Sequence, residues 1–146
     1  MPATSKMFGR LLMSLANKEI NMNTDDTFKV MLVTSAWTPD QDTMQYKSAV
    51  TNEASGTGYT PGGLTLASQA VTYDPATNTL KFDASDVSWN NSTIAARYAV
   101  VYDATPGSDA TRPLVAYTDY GENVSTTNGT FQAIWNSAGI VTITAA

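Results

Sequence analysis

The chain of 146 residues contains no cysteine and no histidine. Without cysteine there is no disulfide, no thiol nucleophile and no thiolate metal ligand. Without histidine there is no Ser-His-Asp triad, no imidazole general base and no His-ligated zinc. Charge is scarce as well. Eight basic and thirteen acidic residues make 14% of the chain, against about a quarter of an average soluble domain. The net charge is −5 and the basic residues are scattered. Phosphate-neutralising clusters are therefore missing, and nucleic acid is not an expected partner. No apolar run approaches the ~18–20 residues of a membrane helix, so no membrane is expected either. Lys6 and Arg10 precede the apolar run Leu11 to Ala16, as at the start of a signal peptide. That run is short, and Asn17-Lys18-Glu19 stands where a small-residue cleavage site would follow, so no signal peptide is expected.

What takes the place of charge is uncharged polarity: 12 serines and 22 threonines beside 42% hydrophobic residues. A chain poor in charge buries surface against other subunits without desolvating ions. Its length reads as one domain spanning 1–146.

Along the chain, residues 1–22 read as an N-terminal α-helix or arm. Phe8, Leu11, Leu12 and Leu15 fall at i, i+3, i+4 and i+7, one face of a helix. Thr4 or Ser5 would cap its start, and Asn17 and Asn21 would stop it. Such a helix packs on its own domain or docks on a neighbouring subunit. Residues 27–146 read as a β domain. The Thr27 to Ser35 run holds consecutive apolar residues, the pattern of a strand covered on both faces. From 36 to 63 the chain is punctuated by Pro and Gly and is expected to be irregular, with a short helical turn near Met44 to Asn52. Strands follow at Leu64 to Ser68, Ala70 to Asp74, Thr79 to Asp83 and Asp86 to Trp89. Thr93 to Asp103, Leu114 to Asp119, the alternating Phe131 to Trp135 and Ile140 to Thr144 complete the set. Many short strands between turn signals predict a mainly β fold, a single antiparallel β-sandwich or barrel-like domain with an N-terminal helix.

Candidate chemistry is thin. Gly56-Thr57-Gly58-Tyr59-Thr60-Pro61-Gly62-Gly63 superficially resembles a phosphate loop. It has Pro61 where a dinucleotide fingerprint needs Gly, no Gly-Lys-Ser/Thr, and a β-type run after it in place of a helix. The plainer reading is a turn or clamp that positions Tyr59. Carboxylate pairs such as Asp119 with Glu122, or Asp83 with Asp86, are ordinary turn formers and do not make a glycosidase pair by proximity alone. A metal would need oxygen ligands. Asp40-x-Asp42 starts like a calcium loop, without Gly at its sixth position or Glu at its twelfth; Asp83, Asp86 and Asp103 are further oxygen donors. Solvated turn carboxylates explain both sets, so no metal and no cofactor is expected. Arg97 is the charge that stands out, because it interrupts the most apolar strand. There it needs a carboxylate or carbonyl partner, at the edge of the core or across a subunit interface.

Four stretches carry a resemblance: Asp26 to Ser35, Glu53-Ala54-Ser55-Gly56-Thr57-Gly58-Tyr59 with the following Thr60 to Gly63, Thr93 to Tyr102, and Trp135 to Ile140. Together they resemble a family of small virion structural proteins of tailed bacteriophages. None of these motifs is catalytic. The resemblance implies a non-enzymatic particle component, foremost a capsid decoration or cement protein that stabilises the head by binding the assembled shell. A head–tail connector or tail component (adaptor, tube or fibre-base protein) is the alternative, and a surface-displayed receptor- or glycan-binding module the second. The partners implied are the major capsid protein or other virion proteins, together with further copies of the chain, a trimer being favoured. The protein would be made in the host cytoplasm and reside in the virion. Phe8, Leu12, Trp37, Tyr59 and Arg97 are the candidate interface residues.

Overall fold

The computed structural model describes residues 3–146; Met1 and Pro2 of the expected N-terminal arm lie outside them. The chain is mainly β and antiparallel throughout. Its strands are β1 (Thr4–Met7), β2 (Phe28–Val33), β3 (Gly56–Thr57), β4 (Leu64–Thr65), β5 (Ala70–Asp74), β6 (Thr79–Asp83), β7 (Val87–Asp103), β8 (Leu114–Ser125), β9 (Gly129–Ala133) and β10 (Val141–Thr144). Among the described residues one helix, α1 (Leu11–Ala16), and one 3₁₀ turn, Lys47–Ala49, accompany them. The large sheet runs β1-β8-β7-β2-β4, with β3 and β9 also paired to β7; the small sheet runs β10-β6-β5.

The alternation in β2 and β7 explains how the large sheet fills both its faces. Phe28, Val30 and Leu32 point one way with Ala99 and Val101, into the core shared with the small sheet. Phe28 meets Phe82 of β6 there, ring centroids 5.0 Å apart, as in a β-sandwich. Met31 and Val33 point the other way with Tyr98, Val100 and Tyr102. The segment after β2 covers that second face. Trp37 packs edge-on against Tyr98 at 5.3 Å and donates its indole N–H to the Ala49 carbonyl at 3.3 Å. The consecutive apolar residues of β2 thus mark a strand buried on both sides.

The expected N-terminal helix is largely corrected. Thr4–Met7 is a strand, paired antiparallel to β8 from Thr4↔Asp119 to Met7↔Ala116, and α1 is only six residues long. Its N-cap is Arg10, with no side-chain cap bond, so neither Thr4 nor Ser5 caps it. The apolar set divides. Phe8 precedes the helix and packs on Tyr117, and Leu11 enters the core between the sheets. Leu12 turns outward. The competing interaction is the open edge of β8, whose backbone N–H and C=O groups need partners that residues 4–7 supply.

Two expected chain breaks are bridged. The short strand ending at Asn90-Asn91 and the one from Thr93 are a single 17-residue strand, β7. The register shifts between Trp89 and Ser92, and Asn91 has φ 50°. A left-handed Asn suits a β-bulge as well as a turn. The strand expected to end at Asp119 likewise runs on, because β8 continues to Ser125 across a second register break opposite Arg97.

Among the described residues no helix is long and apolar enough to cross a membrane.

Candidate functional site

The glycine-rich run is folded into a clasp on the large sheet. Val33 and Glu53 form an isolated antiparallel bridge, which brings Glu53 beside the loop it precedes. Its Oε1 accepts the Tyr59 hydroxyl and the Gly62 N–H, both at 2.6 Å. The Leu32 N–H donates to the Tyr59 hydroxyl oxygen at 3.1 Å. Tyr102 donates its hydroxyl to the Gly62 carbonyl at 2.6 Å. Burial, then the hydrogen bond to Glu53, pushes the Tyr59 hydroxyl far above the usual tyrosine range; burial lifts Tyr102 to about 12. Both phenols stay protonated and act as donors.

The glycines make the close approach feasible. Thr60 to Gly63 closes with Gly63 N–H donating to the Thr60 carbonyl at 2.9 Å. Pro61 stands second and Gly62 third with φ 92°, the arrangement of a type II turn. A Cβ on Gly63 would lie 1.8 Å from the Val30 carbonyl oxygen. The run is therefore a strand-hugging clasp with no free row of N–H groups for a phosphate.

Arg97 sits at the bulge between Ala96 and Tyr98. It grips Asp119 through Nε to Oδ1 at 2.9 Å and Nη2 to Oδ2 at 3.2 Å. That guanidinium, aided by the Gly121 N–H, holds the Asp119 carboxyl below the usual carboxylate range. The pair ties β7 to β8 where their register breaks.

A third polar cluster pins the 104–112 loop to the 3₁₀ turn. Lys47 donates to Asp109 at 3.0 Å and Arg112 to the other carboxylate oxygen at 3.1 Å. The Lys47 ammonium also lies 5.3 Å from the Tyr102 ring centroid.

Of the sequence-predicted interface residues, Phe8 and Trp37 are buried in the chain's own second core. Tyr59 is half-buried and spent on the clasp; Arg97 is half-exposed and paired within the chain. Leu12 is the one left open to solvent. The five do not form one patch.

The candidate carboxylates are likewise dispersed. Asp40 Oδ1 accepts the backbone N–H groups of Asp42 and Thr43 in a tight turn. Asp83 pairs with Lys81, and Asp86 accepts the Trp135 N–H. Among the described residues no group of three or more acidic side chains stands together as a metal site.

Two features escaped the sequence. One is the burial of Asp103, which the sequence suggested as a solvated turn carboxylate and which is fully buried at the end of β7. Its Oδ1 accepts the Thr105 N–H at 2.9 Å, while Oδ2 has no donor among the described residues. Burial, and then the hydrogen bond to Asp26, lifts its carboxyl to about 7. A carboxylate closing an apolar strand was the available signal. The other is an open groove of about 570 Å³ between the α1–β2 connection and the β5–β6 hairpin. Leu15, Ile20, Met22, Val71 and Leu80 give its apolar lining; Lys18, Glu19 and Asp26 are its charged residues. It joins residues distant in sequence, so no local pattern announces it.

No family model, curated protein or solved structure matches the chain.

Proposed function

We propose that the chain is a non-enzymatic structural component of a tailed-phage virion, foremost a decoration or cement protein of the capsid shell. The observation that carries this reading is the fate of the Glu53 to Gly63 stretch of the resemblance. Glu53, Tyr59 and Gly62 spend their polar groups on one another and on the chain's own backbone, as scaffold residues do. The mainly β, low-charge architecture and the pinned polar loops fit a sandwich that presents a rigid, sparsely charged surface to other subunits. Its mechanism is mass action: a protein that binds only the assembled shell stabilises the shell by its binding free energy. The partner is the major capsid protein, and the protein acts as a homo-oligomer.

Quantitative mass spectrometry of purified particles tests this. A copy number in simple ratio to the major shell protein is the expected result, together with a shell melting temperature that rises when purified chain is added back to stripped particles. A ratio of a few per cent would move the assignment to the neck or tail. Absence from the particle would overturn it.

A further inference from the structure

We propose that the groove between the α1–β2 connection and the β5–β6 hairpin receives the outward face of α1 from a second copy of this chain. This deepens the oligomeric part of the reading above and rests on no shell contact.

The outward face of α1 is apolar. Leu12 is 47% exposed and Met13 50% exposed, side by side on a six-residue helix, with exposed Arg10 immediately before them. The groove is their counterpart. Its apolar wall includes Leu15, Val71 and Leu80, and two of its three charged residues, Glu19 and Asp26, are acidic. An apolar knob next to a cation matches an apolar groove with an acidic margin.

The groove has a structural origin. The inward face of the small sheet carries Val71, Leu80 and Phe82. Phe82 is fully buried, whereas Tyr73, paired with Leu80 across the strands, is 58% exposed. That face therefore overhangs the large sheet and leaves its outer row half covered.

The knob does not fill the groove of its own chain. At 100° per residue Met13 points away from Leu11 and Leu15, and Leu12 stands about 60° round the helix from Leu15. Leu11 and Ser14 are buried and Leu15 lines the groove. Leu12 and Met13 stay half exposed beside them, outside the groove. Knob and groove thus both stand unpartnered on one chain, which is the condition for self-association.

The absence of native cysteine makes a direct test clean. Two single variants of the full chain, Leu12→Cys and Val71→Cys, are mixed and oxidised, and the products are weighed by non-reducing mass spectrometry. The expected product is the mixed disulfide, in several-fold excess over either symmetric one. Light scattering of the unmodified chain is expected to show a mass of two or more chains, reduced to one by Leu12→Asp with Met13→Asp at unchanged melting temperature. Symmetric disulfides in statistical proportion, or an oligomer that persists in the double aspartate variant, would overturn the proposal. Because no particle is present, such a failure leaves the virion reading standing, and loss of the virion reading leaves this contact standing.

Discussion

A single carboxyl group sets an expected pH dependence. Asp103 is buried, Thr105 satisfies one of its oxygens and the other lacks a donor among the described residues. A buried acceptor without a donor is costly, and protonation of the Asp103 carboxyl relieves that cost. The folded carboxyl titrates near 7, whereas the ordinary aspartate value is 3.8. Between those values the folded chain holds a proton that the unfolded chain has released. This group's contribution is therefore fully present below about pH 4 and is lost as pH rises through 7. The lowered carboxyls of Asp109 and Asp119, held by Lys47 and Arg97 first, act in the opposite sense: their contribution is present above the ordinary aspartate value and lost as pH falls below it. Urea midpoints of the wild-type chain should decline from pH 4.5 to 7.5. Asp103→Asn, which keeps an acceptor for Thr105 and offers Asp26 a permanent donor, should flatten that decline and raise the midpoint at pH 7.5. An unchanged slope in the variant would show that another group sets it.

Among the elements, the clasp shows what sequence reading captured and what it missed. The punctuation of Gly56 to Gly63 correctly announced a turn that positions Tyr59, because Pro and left-handed Gly act locally. Its partners did not show, since Glu53, Leu32 and Tyr102 reach it through the sheet. The same division runs through the strands. β2, β5, β6 and β10 were readable from apolar runs and turn residues alone. The first helix was misjudged, because four leucine and phenylalanine positions at helical spacing do not reveal that a neighbouring strand has an edge to cover. Asn91 was misjudged because one conformation serves both bulge and turn. Gly63 gives the element-scale prediction. It has φ 82° and brings β4 against β2 at a distance where any Cβ would strike the Val30 carbonyl. Gly63→Ala should cost roughly 2 kcal/mol or more, from the left-handed backbone and the overpacking together. Thermal melting should show a lower midpoint, and hydrogen exchange should show residues 59–66 opening first. A melting midpoint equal to the wild type would mean that the clasp moves aside without cost.

For the whole molecule, the N-terminal strand decides whether the chain is self-contained. β1 covers the outer edge of β8, with Ser5 and Thr118 sharing a 2.9 Å hydroxyl contact and the Phe8 N–H donating to the Val115 carbonyl at 3.1 Å. Phe8 then seals the second core beside Tyr117. The strand packs within its own chain, although a sequence of this kind suits equally an arm that reaches a neighbour. Truncation to Phe8 keeps that ring and strips the edge alone. The exposed stretch Ala116 to Asp119 has no proline or lysine and would present its unpaired backbone groups to any other strand. The shortened chain should melt at a lower temperature, and its mass by light scattering should climb with concentration in a way that Leu12→Asp with Met13→Asp does not suppress. That last condition separates edge pairing from the knob-and-groove contact, which uses a different surface. A shortened chain with unaltered melting and mass would show that β1 adds nothing to the stability of this fold and that the uncovered β8 edge recruits no other strand.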